Sequence, residues 1–244
     1  MIRITTTIIF SVIALVIGGI LFFSCNNKST NTSTDKKIFL SRQEAENVVK
    51  QLVDLGYYKY ADPSDIDSLK EDLTSSVAQY GILSTIYFDK PLTPKDYRYY
   101  MFDGETVFEQ DGFDDALKDM KGLFDKIALK LEITNHIEDV DTLTKGLNHE
   151  LTVNGKRYII FKDFKGYGWG EAAQKFTEMI NDQLQLQDKD ERLYLINGGN
   201  DGSAVFLTDK QFDVIDKLFT DDQWRPLKID KWCKVFKVES MTNN

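Results

Sequence analysis

Cysteine, histidine and proline are scarce in this chain: two, two and four of 244 residues. Two cysteines, Cys25 and Cys233, cannot build a disulfide framework, and no CxxC or HExxH spacing of a zinc site occurs. His136 and His149 alone are too few ligands for a structural metal centre, so no metal is expected, and no cofactor loop is present. Basic residues are outnumbered, 30 against 39 acidic, for a net charge of −9. Phosphate backbones are bound by clustered Lys and Arg, so this balance argues against nucleic acid as a partner. It argues equally against adsorption on an anionic lipid surface, and it is compatible with a cationic protein partner. No internal repeat is present, and the long apolar runs reduce to one, residues 8–23.

Arg3 precedes that run as a positive n-region, the run is an h-region, and Ser24 is the small residue expected before a cleavage site. Cys25 follows at once. A segment ending this way resembles a bacterial lipoprotein signal, whose Cys thiol is lipidated and becomes the mature N-terminus. Phe22 and Phe23 depart from the Leu and small residue that the family favours at those places. The resemblance implies a diacylglycerol, often with a third chain, on Cys25. Two or more chains anchor stably, at the cell membrane or the outer membrane, with the folded part outside the cytoplasm. An uncleaved transmembrane anchor is the alternative, since residues 4–23 come close to the length of about twenty that spans a bilayer. Cys25 at the boundary, with no Lys or Arg after it until Lys28, favours the lipoprotein reading. Acylation of Cys25 leaves Cys233 without a disulfide partner. Residues 26–37, NNKSTNTSTDKK, hold no apolar side chain and read as a flexible tether.

The remaining chain, residues 38–244, is long enough for one sizeable core. Ser41 and Glu44 form a capping box ahead of a stripe of Ala45, Val48, Val49, Leu52 and Val53. Asp62 as N-cap and Pro63 at the first helical position predict a second helix, striped by Ile66, Leu69, Leu73, Val77 and Tyr80 and ended by Gly81. This helical pair could form a subdomain. Residues 82–88 and 97–102 read as strands, separated by Pro91 and Pro94. Asp103-Gly104 predicts a turn, Phe113 to Ile127 a helix, and Leu129 to Thr134 a strand with one wet face. Asn154-Gly155 predicts a hairpin over residues 147–161, with Leu151 opposite Tyr158 and His149 opposite Ile160. A helix striped by Ala173, Phe176, Ile180 and Leu184 follows. Then come a second hairpin around residues 197–202, NGGNDG, and a last helix capped by Thr208 and Gln211. The mixed order predicts an α+β fold, a largely antiparallel sheet with several amphipathic helices packed on it.

GYGWGEAA, residues 166–173, is the most unusual stretch. Its glycines let backbone approach a neighbour closely, and Tyr167, Trp169 and Glu171 are candidate ligand-binding residues: rings to stack on a flat face, and a charge in the first helical turn. The alternative is a tight strand-to-helix connection with Trp169 covering the core edge. An exposed Trp169 would speak for a ligand, a buried one for the connection. The stretch faintly resembles papain-like enzymes, which place a Cys before a Trp at a helix start. Gly168 stands at that position, so the nucleophile is missing and no such activity is implied. NGGNDG lacks the Lys of a phosphate loop and the twelfth-place acid of a calcium loop, and reads as a turn.

His149 shares a strand face with Leu147, Leu151 and Val153 and reads as a hydrogen-bonded core residue, His136 as solvated. The carboxylates Asp103, Glu105, Asp111, Asp114, Asp115, residues 138–141, Asp221 and Asp222 are too numerous for any pair to be diagnostic. Asp114 and Asp115 suit a helix start, where negative charge is favoured. The tail bearing Trp224, Trp232 and Phe236 is expected to fold back on the core. These residues point to a lipid-anchored extracytoplasmic binding protein, in the manner of an immunity or inhibitor protein, with an unidentified protein partner. An envelope hydrolase working on glycan or peptidoglycan through carboxylates is the alternative.

Overall fold

The computed structural model describes residues 39–88 and 92–239. The signal segment, Cys25, the tether and Pro91 lie outside those residues. Among the described residues, seven α-helices and two three-stranded antiparallel sheets form an α+β fold. No described helix is long and apolar enough to cross a membrane.

Helix α1 (Arg42–Asp54) begins at the expected capping box, with the Ser41 amide donating to Glu44 Oε2 at 2.8 Å. Helix α2 (Ile66–Tyr80) starts later than Pro63 predicts. Asp62 instead closes its own turn by accepting from the Ser64 amide at 2.8 Å, and Asp65 becomes the N-cap. Gly81 ends α2 in the left-handed conformation at φ 65°. The amides of Phe39 and Leu40 donate to Ala78 O, which ties the start of the described chain to the end of α2.

Strand β1 (Tyr99–Met101) is one edge of a sheet ordered β1–β6–β5, with β5 spanning Glu191–Ile196 and β6 Ser203–Thr208. Leu193, Leu195, Ala204 and Phe206 face one core, while Tyr194, Ile196, Val205 and Leu207 face another. Burial on both faces is why these strands read as unbroken apolar runs. On the second face lie α1, α2 and α6 (Asp209–Leu218), so the α1–α2 pair shares its core with the sheet instead of forming a subdomain. On the first lie α4 (Gly112–Lys126), α5 (Trp169–Leu186), α7 (Ile229–Phe236) and the second sheet.

That second sheet is a meander of β2 (Ile133–Val140), β3 (Leu147–Val153) and β4 (Lys156–Phe164). Its turn at Asn154-Gly155 has positive φ at both residues, 52° and 79°, as a type I′ hairpin requires. Leu151 pairs with Tyr158 as expected, but a bulge at Ile160 in β4 leaves that residue unpaired and sets His149 opposite Phe161.

Four other expectations need correction. Residues 82–88 form no strand; among the described residues one bridge, Tyr87 to Pro94, is the pairing they make. Asp103-Gly104 is no turn: Asp103 caps a short helix α3 (Gly104–Phe108), accepting from the Glu105 amide. The strand expected at 129–134 begins at Ile133, because Ala128 takes φ 51° and Leu129 drops into the core. In the tail, Trp232 is buried and Phe236 half-buried, but Trp224 stays exposed.

Candidate functional site

Two of the three glycines in residues 166–170 have packing reasons. A side chain at Gly168 would meet the rings of Phe108, Phe164 and Phe161 at 2.8–3.0 Å, and one at Gly170 would meet Val238 at 2.5 Å. Gly168 is therefore a seat for three aromatic rings, and no larger side chain fits there. Gly166, at φ 136°, turns the chain out of β4.

Packing does not account for Tyr167. The residue is 87% exposed, and its ring meets that of the half-buried Trp169 edge-on at 6.1 Å. Glu171, also half-buried, lies in the first turn of α5. These three residues line one groove of about 340 Å³ with Gly198, Gly199, Trp232 and Phe236. The two glycine-rich loops, thirty residues apart in sequence, thus meet. Trp232 fixes the second loop by donating from Nε1 to Asn197 O at 2.6 Å, and Asn197 itself has φ 56°. The result is a shallow surface with aromatic walls and one carboxylate.

Cys233, the free thiol of α7, is buried, and burial followed by the charges of Glu178, Asp230 and Glu171 pushes it up to about 11. Such a thiol is a poor nucleophile. No cluster of three or more His, Cys, Asp or Glu among the described residues could hold a metal.

Sequence reasoning missed a histidine pair. His136 is not solvated: its Nε2 lies 3.0 Å from His149 Nε2, and the rings stack at 5.1 Å. Asp114 sits 3.4 Å from the other nitrogen of His136, and Glu138 sits 3.7 Å from that of His149. Phe113 packs edge-on against His149 at 4.7 Å. Burial, then repulsion from His136, lowers His149 to about 4. The pair lies thirteen residues apart on adjacent strands and only their register brings it together.

Arg98 was likewise unforeseen. It is fully buried and donates to the carbonyls of Phe206 at 2.9 Å and Gly56 at 3.3 Å, with Glu191 at 3.8 Å. Its donors are spent on holding the α1–α2 connection to the central sheet, a structural task. Nearby Asp96 accepts from the amides of Arg98 and Tyr99; burial nevertheless pushes its carboxyl up to about 6.

A larger cleft, about 720 Å³, opens between β1, α3, α4 and the β5–β6 loop. Of the carboxylates noted in the sequence, Asp103 and Asp115 line it, joined by Asp119 and Asp201. Partial desolvation, then the charge of Asp115, raises the Asp119 carboxyl above its ordinary value. Comparison with protein-family models, curated proteins and solved structures finds no match for this chain.

Proposed function

We propose that this chain is a lipid-anchored extracytoplasmic binding protein that holds a protein partner through the Tyr167–Trp169–Glu171 groove, in the manner of an immunity or inhibitor protein. One observation carries the reading: Tyr167 stands almost wholly in solvent on a loop whose glycines are explained by packing at 168 and 170 and by backbone conformation at 166. A rigid ring with a polar tip is a favoured interface residue. The address rests on Cys25 and the segment before it, outside the described residues.

The hydrolase reading draws on Asp119, a carboxyl of raised pKa in a cleft. Glycoside cleavage sets two carboxyl groups on opposite sides of the scissile bond. Asp115 and Asp119 stand one turn apart on the same helix, α4, which suits that chemistry poorly. Digestion of purified peptidoglycan by the full-length protein decides between the two. The binding reading expects no release of soluble fragments by wild type; release abolished by Asp119→Asn would replace it with the hydrolase. The anchor is tested separately by fatty-acid labelling in a bacterial host, where Cys25→Ala should remove the label. Equal labelling of wild type and variant would refute the lipid.

A further inference from the structure

The 720 Å³ cleft is separate from the aromatic groove and lies within the size range of ligand sites. Its floor is apolar: Tyr100, Phe102, Val107 and Met120 are all buried. Its rim carries two large exposed apolar side chains, Met101 at 67% exposure and Trp224 at 42%. Four aspartates line it and no lysine or arginine does. Two of the four are engaged. Asp103 caps α3, and Asp115 meets Lys118 at 2.7 Å in a fully wet pair of little worth. Asp119 and Asp201 have no hydrogen bond or ion pair among the described residues.

Charge and shape together define the occupant. Carboxylates beside low-dielectric walls focus a negative potential into the cleft, and among the described residues Lys118, which does not line the cleft, is the one cation against Asp115 and Asp119. A cation from outside would offset the rest. Trp224 can accept a cation on its ring face, and Met101 adapts to varied apolar shapes. Asp115 and Asp119 are four residues apart on α4, about 6 Å along its axis, a spacing that matches two basic side chains one helical turn apart on a ligand.

We propose that this cleft binds a basic amphipathic segment of a partner protein, its apolar side chains between Met101 and Trp224 and its Lys or Arg side chains on Asp115, Asp119 and Asp201. The inference does not depend on the Tyr167 groove, which no residue of this cleft enters.

The test uses the full-length chain in a neutral maltoside detergent, with detergent alone as the blank. A fluorescein-labelled amphipathic peptide, leucines on one face and lysines at i, i+4 on the other, is titrated by anisotropy beside its Lys→Gln counterpart. The lysine peptide should bind at least about tenfold more tightly, with an affinity that falls as salt rises. Asp115→Asn with Asp119→Asn should weaken it about tenfold or more, and Trp224→Ala by a similar factor. Asp115→Glu with Asp119→Glu should restore binding to within about threefold, separating lost charge from lost fold. Asp139→Asn with Asp190→Asn, which removes the same charge elsewhere, should change nothing. Equal binding of the two peptides, no binding of either, or an unweakened Asp115→Asn/Asp119→Asn variant would overturn the proposal. So would binding of spermidine at these aspartates without binding of the peptide, which would make this a small-cation site.

Discussion

The β1–β6–β5 sheet is covered on both faces, whereas β2–β3–β4 lays one face on the core and turns the other to water. Consecutive residues of β6, Ala204 to Leu207, are all buried in alternating cores. In the meander, buried Leu151 and Val153 alternate with partly exposed neighbours, and Ile137 and Ile159 remain on the outside. The doubly covered sheet is the frame, and both grooves open at its β5–β6 loop, where Gly198 and Gly199 line one and Asn200 to Ser203 the other. The singly covered sheet tolerates polar residues at its inner edge, including the histidine pair.

The largest effects should separate the two sheets by stability. Phe206→Ala empties a site touched by Tyr100 and Phe124 and should cost about 3–5 kcal/mol. Ile159→Ala, on the wet face of β4, should cost under about 1 kcal/mol. Urea unfolding measures both, and similar losses would erase the distinction.

Acid titration sharpens the contrast, because each sheet has a buried group whose pKa is shifted, and the shifts run in opposite directions. His149 in β3 is lowered from 6.5 to about 4, so the folded state binds fewer protons than the unfolded. Its contribution is full above the unfolded value and is lost as pH falls from about 6.5 to 4, amounting to about 3 kcal/mol. Asp96, before β1, is raised from 3.8 to about 6. Its contribution is full at low pH and is lost as pH rises from about 4 through 6, again by about 3 kcal/mol. The two oppose each other over one window. His149→Gln should therefore gain stability relative to wild type as pH falls from 6.5 to 4, and Asp96→Asn should lose it over the same range. Parallel curves for wild type and both variants would contradict the account.

A smaller effect belongs to the hairpin turn. Gly155 at φ 79° has open space where a side chain would go, so Gly155→Ala should cost only the backbone strain, about 1–2 kcal/mol. A larger loss would mean that the meander depends on more than its turn.

Much of the frame is legible locally. The capping boxes at Ser41–Glu44 and Thr208–Gln211 and the Asn154-Gly155 turn are each complete within four residues, so the chain states them without help from tertiary structure. Strand β2 was misplaced because every residue from Ile133 to Val140 is at least partly exposed and no apolar alternation marks it. Helix α3 was hidden because Asp103-Gly104 has the composition of a turn. Glycine density marks residues 166–170 as a loop of close approach, and the structure sets Tyr167, Trp169 and Glu171 along one groove beside it. Neither the acidic cleft nor the histidine pair has a local signal, since the first joins residues near 100, 115, 200 and 224 and the second depends on strand register.

The binding account is tested most directly by comparing two exposed side chains, one on each side of this contrast. Tyr167 lies at the groove and Leu143, 91% exposed, lies in the β2–β3 loop. A photo-crosslinking amino acid placed at either position in the full-length protein, expressed in the bacterial envelope, reports what lies against it. The account predicts a discrete protein adduct at 167, lost when Trp169→Ala is added, and none at 143. Adducts of equal yield at both positions, or none at 167, would contradict it.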